Sequence, residues 1–126
     1  MTGGILLDTN VLIDYLRGNE EASRFLESIQ ENLCVSAMTV AELYAGARND
    51  RERSSLDKFV EAFSVLPVNK TISKKGGEYR RKYGKSHNVD LIDALIAATA
   101  VINEMNLFTL NKKHFPMLTK VSLPYK

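Results

Sequence analysis

The chain has 126 residues, of which 44% are hydrophobic and 25% charged, with a formal net charge of +2; these are the figures of one globular domain that buries its own core. They exclude a disulfide framework, because Cys34 is the single cysteine, and they call for neither an acidic nor a basic partner. The longest apolar run, Leu91 to Ile102, is broken by Asp93, and no basic stretch leads into an apolar one at the N-terminus, so no membrane span and no targeting signal are expected, and a reducing cytoplasm is.

Short apolar runs alternate with helical patterns, without an internal repeat. Ile5 to Leu7 predicts a strand that runs straight into Asp8. Val11, Leu12, Tyr15 and Leu16 make an apolar helix face, ended by Gly18 where a left-handed cap is favoured. Ala22, Phe25, Leu26 and Ile29 make a second such face, and Leu33 to Val35 a second strand with Cys34 as a small core residue. Val40, Leu43, Tyr44 and Ala47 predict a third helix, and Leu56, Phe59, Val60 and Phe63 a fourth. A strand over Val65 to Val68 precedes a polar helix from Thr71 to roughly Ser86 with Ile72, Tyr79 and Tyr83 inward. Leu91 to Asn103 is apolar nearly all round, which predicts a central, buried helix; Leu107 to Thr109 and a weaker Lys120 to Leu123 complete the strands. Strands separated by helices predict a three-layer α/β/α sandwich around a mostly parallel sheet of about five strands, as a single domain over 1–126.

Three carboxylates fall where apolar residues are expected. Asp8 ends the first strand, Glu42 lies in the helix after the second, and Asp93 opens the most apolar helix, where Asp90 can serve as N-cap. Any one alone is readily a structural acid at a helix N-terminus. Together they face the carboxyl edge of a parallel sheet, where ligands gather, and crowded carboxylates raise one another's pKa unless a cation holds them. Oxygen donors without a cysteine or histidine cluster suit Mg2+ or Mn2+ rather than Zn2+. The chemistry that follows is metal-assisted attack of water on a phosphodiester.

The stretches LLDTNVLIDYLRG, VSAMTVAELYAGA, DLIDALIAATA and LFTLNKKHF, in this order, resemble the four motif blocks of PIN-domain proteins, in particular VapC-like toxins of toxin-antitoxin modules. The resemblance implies a small nuclease fold and a Mg2+- or Mn2+-dependent endoribonuclease. It matches Asp8, Glu42 and Asp93 to the metal-binding acids, and Asn10 and Thr109 to polar residues that support them. It also implies an inhibitory VapB-like antitoxin and a homodimer. The chain departs from the pattern at the fourth acid, often an aspartate shortly after the fourth strand: TLNKKHF offers Asn111 and His114 instead. Asn111 would hold an ion or its water more weakly than aspartate. His114, between Lys113 and Phe115, reads as a surface or partly packed residue rather than a base, since attack by a metal-activated water needs no histidine.

Basic residues cluster on the polar helix (Lys70, Lys74, Lys75, Arg80, Arg81, Lys82 and Lys85) and after Glu42 (Arg48, Arg51 and Arg53). They read either as solvated faces or as cations that hold RNA phosphates, with Arg48, Lys74, Arg81 and Lys85 the contacts expected in the second case. A noncatalytic RNA-binding module and a phosphatase or maturation nuclease using the same acids are the alternatives.

Overall fold

The computed structural model describes residues 4–125; of the expected domain 1–126, residues 1–3 and 126 lie outside the described ones. Five strands, β1 (Ile5–Leu7), β2 (Leu33–Ser36), β3 (Ser64–Leu66), β4 (Asn106–Phe108) and β5 (Val121–Ser122), pair in the order β3-β2-β1-β4-β5. All four pairings are parallel. The connections are the helices α1 (Thr9–Leu16), α2 (Glu20–Ser28), α3 (Ala37–Ala45), α4 (Asp50–Glu61), α5 (Lys70–Tyr83) and α6 (Leu91–Ile102).

Neighbouring residues on each strand serve opposite layers, because side chains alternate across a pleated sheet. Leu6, Cys34 and Leu107 pack with Ile96, Ala97 and Ala100 of α6 and with Phe115. Leu7 and Val35 pack with Leu12, Leu26, Leu43 and Leu56, one from each of α1 to α4. The result is the expected α/β/α sandwich. Edge strand β3 is shifted from the expected Val65 to Val68: Ser64 pairs with Cys34, and the ladder stops at Leu66, since Pro67 has no N–H to extend it. Helix α6 is buried through its middle, as its composition predicts, while Leu91, Val101 and Ile102 at its ends are exposed.

Each helix opens on a polar cap whose side-chain oxygen accepts a first-turn backbone N–H: Asp8, Asn19, Ser36, Asn49, Asn69 and Asp90. Two of these, Asp8 and Ser36, sit at the junction of strand and helix, so the carboxyl edge of the sheet is lined with polar groups by the same residues that start the helices.

Helices α5 and α6 meet closely at Gly76, where an added Cβ would lie 2.6 Å from Leu95 Cδ2 and 3.2 Å from its Cα. Next to it, a Cβ at Gly77 meets nothing within 4 Å. Gly76→Val therefore lowers the urea midpoint by overpacking worth about 1–3 kcal/mol, whereas Gly77→Ala raises it by up to about 1 kcal/mol through helix propensity and a less flexible unfolded chain. Equal effects of the two substitutions would contradict this packing.

Candidate active site

Strand order reverses between β1 and β4, and in open parallel sheets ligands bind outside the carboxyl ends of the strands that flank such a point. Asp8 follows β1 and Thr109 follows β4, and the register Leu7↔Phe108 sets the two side by side. The Asp8 amide donates to Phe108 O at 3.0 Å, which extends the pairing through the acid itself.

Asp8 is 5% exposed. Its Oδ1 accepts the Thr9 amide at 2.8 Å and its Oδ2 accepts the Thr109 hydroxyl at 2.7 Å. Burial pushes its pKa up, the hydrogen bonds from Thr109 and Thr9 oppose this, and the Glu42 charge adds to it; the net shift is upward. The Thr109 hydroxyl is fully used: it donates to Asp8 and accepts from Asn10 Nδ2 at 3.3 Å and from the Asn111 amide at 3.0 Å. Asn10 in turn accepts the Leu110 amide at 3.3 Å, which ties α1 to the segment after β4.

Glu42 reaches the same edge from α3. Its Oε1 accepts the Thr9 hydroxyl at 2.6 Å. Thr9 has one hydroxyl proton, given to the carboxylate, so the Thr39 hydroxyl at 3.0 Å is the donor toward Thr9. Asp93 enters from the first turn of α6, where the Asp90 carboxylate caps its amide at 2.8 Å. The Asp93 carboxyl is pushed up to about 6, first by burial, then by the charges of Asp90, Asp8 and Glu42, with His114 opposing. Asp93 thus feels the charges of both other acids across the edge, and Asp8 that of Glu42. Among the described residues, no three acidic, histidine or cysteine side chains close into a tight cage.

Asn111 and His114 lie on the same side of the site. His114 Nδ1 is 3.1 Å from Asp93 Oδ2, and Asn111 Nδ2 lies 3.1 and 3.3 Å from the two ring nitrogens. His114 is partly packed, as expected, but it is no bystander: the turn Lys112–His114 carries its ring onto Asp93. Thr9 and Thr39 are contacts that sequence reasoning passed over, and for His114 it gave partial packing but not the contact with Asp93. Thr39 had a signal, since it stands three residues before Glu42 on one helix face.

The basic residues are dispersed. The Arg48 guanidinium contacts both carboxylate oxygens of Glu52, its Nη2 at 2.7 Å from Oε2. Lys74 shares a groove with Lys70, Thr71, Lys75, Glu78 and Ile102; Ile102 is nine residues beyond Asp93 on α6, about 13 Å along its axis, so Lys74 sits toward the far end from the acids. Arg81 in the last turn of α5 and Lys85 just beyond are exposed, on the segment that leads to Asp90.

The profile of the PIN domain family matches residues 5–119. The chain belongs to the PIN domain family. The match takes in every site residue named above and stops short of β5. Ribonuclease VapC10 of Mycobacterium tuberculosis is 39% identical over 124 residues, covering 96% of this chain and 92% of that protein. Ribonuclease VapC19 of the same organism is 36% identical, covering 95% and 98%. A chain of a toxin-antitoxin complex from Klebsiella pneumoniae superposes with a TM-score of 0.85 at 28% identity, covering 98% of this chain and 99% of that one. Similarity at full length, in sequence and in structure, makes this PIN domain comparable to those proteins as a whole.

Proposed function

We propose that this PIN domain is an endoribonuclease dependent on Mg2+ or Mn2+, acting as the toxin of a toxin-antitoxin pair. The observation that carries the reading is the convergence of Asp8, Glu42 and Asp93 on the carboxyl edge at the β1/β4 reversal, where the charges of Asp8 and Glu42 raise the pKa of Asp93 and that of Glu42 raises the pKa of Asp8. The donor set is carboxylate oxygen in an open arrangement, which fits a hard ion that keeps several waters. Asp8, Glu42 and Asp93 would hold it; when bound, it supplies charge compensation at a scissile phosphate and a water of lowered pKa. The chain's own part is positioning. Thr109 and the Thr9 amide fix both oxygens of Asp8, Thr9 orients Glu42, and Asn10 braces Thr109. Arg81 and Lys85, exposed beside the route to Asp90, are the better placed of the expected phosphate contacts; Arg48 must first leave Glu52.

The similarity to ribonucleases VapC10 and VapC19 supports RNA as substrate, and the toxin-antitoxin complex from Klebsiella pneumoniae supports an antitoxin partner, which the proposal takes to be of the VapB kind. A homodimer and a cytoplasmic setting belong to the same proposal; among the described residues no helix is long and apolar enough to cross a membrane. The test is cleavage of a mixed structured RNA by purified protein with Mn2+ or Mg2+. Cleavage is expected, lost on adding EDTA and in Glu42→Gln; cleavage that persists in both would refute the metal-dependent site.

A further inference from the structure

Polar contacts run without a break from one acid to another. Asp8 accepts from Thr109, Thr109 accepts from the Asn111 amide, the Asn111 side chain lies on His114, and His114 reaches Asp93. All three intermediate residues belong to the six-residue segment after β4, so one short loop braces acids that come from β1 and α6. Within this chain His114 is the only member that touches Asp93.

The geometry points to His114 as a positioning residue for the metal reaction, its Nδ1 lying 3.1 Å from Asp93 Oδ2 so that this oxygen is occupied by the ring and the other carboxylate oxygen is turned to the site. The inference rests on the proposed metal-dependent reading. The Asn111 amide nitrogen is almost equally far from both ring nitrogens, 3.1 and 3.3 Å. It therefore lies against the ring and contacts both nitrogens, while Nδ1 stays within 3.1 Å of Asp93 Oδ2. A polar ring nitrogen in this place orients the carboxylate from behind, the service that groups behind a metal's direct ligands perform. It also avoids a further negative charge beside Asp93, whose pKa its acidic neighbours already raise.

The test is Mn2+ binding followed by the electron paramagnetic resonance signal of the free ion, with single-turnover cleavage of RNA, on wild type, H114A, H114N, H114Q and D93N. Loss of the ring contact in H114A is expected to weaken Mn2+ binding about tenfold and to lower the cleavage rate, with RNA affinity unchanged. The asparagine amide nitrogen can stand where Nδ1 stands, whereas that of glutamine reaches the place of Nε2, so H114N recovers much of the lost Mn2+ affinity and H114Q does not. Circular dichroism of the two amide variants covers the case in which H114A fails to fold. Unchanged Mn2+ affinity in H114A, H114N and H114Q, alongside a loss in D93N, overturns the positioning role alone. Recovery in H114Q rather than H114N also overturns it, in favour of a ring that meets the ion through Nε2. Unchanged affinity in D93N removes the metal-dependent reading and this inference with it.

Discussion

Asparagine in place of Asp93 is expected to lower RNA cleavage by at least about a hundredfold, the order for deleting one electrostatic partner of a reacting centre, while raising the melting temperature. The two effects share a cause. Near neutral pH the Asp93 carboxylate is ionised against burial and against Asp90, Asp8 and Glu42, which together move its pKa from 3.8 to about 6. That shift corresponds to about 3 kcal/mol of strain on the metal-free fold; partial exposure of the side chain screens some of it, so a gain of about 1–2 kcal/mol is the reasonable expectation. Asparagine keeps the shape and an oxygen to face His114, and it removes the charge. A carboxylate retained for folding would behave in the opposite way, with stability and activity falling together. Thermal melts and single-turnover cleavage on the same preparations of Asp93→Asn and wild type separate the two cases.

The layers and the acids were legible because both follow from short-range rules. Apolar runs separated by helical stripes dictate a parallel sheet, and a carboxylate straight after the run Ile5–Leu7 has to stand at a strand end. Asp90 was legible as a cap because its bond to the Asp93 amide spans three residues. The bracing of the acids was not legible, because it is made across the fold: Thr109 meets Asp8 over a separation of 101 residues, and Thr9 meets Glu42 over 33. Nothing in TLNKKHF says that a three-residue turn will swing His114 back onto α6. Charge runs mislead in the other direction. Lys74 and Arg81 lie on one helix and look alike in the sequence, yet they are seven residues apart, about 10 Å along α5, with Lys74 at the groove beside Ile102 and Arg81 nearer the segment that leads to Asp90. Arg48 stands four residues before Glu52 but just ahead of the Asn49 cap, outside α4, so their pairing is not a helix-face contact that spacing alone announces.

The acid site also dictates how stability responds to pH and metal. For Asp93 the folded pKa, about 6, lies above the unfolded value near 3.8. Between them the folded chain holds more protons than the unfolded one, so this group's contribution is fully present below the unfolded value and is lost as pH rises through the folded one. Asp8 is shifted in the same direction by its burial. The metal-free protein is therefore expected to melt at a lower temperature at pH 7.5 than at pH 5, and Asp93→Asn to flatten that slope. Mn2+ reverses the balance, because an ion is held by ionised carboxylates and so stabilises more strongly as pH rises; at a hundred times its dissociation constant the gain is about 2.7 kcal/mol. The melting curves with and without Mn2+ should nearly coincide at pH 5 and separate steadily to pH 7.5. A metal-free melting temperature that climbs across this window would mean that some cationic group of the protein already neutralises the three acids. In that event their crowding is a structural ion-pair arrangement, and the case for a cation site at the β1/β4 edge fails on the folded state's own proton balance.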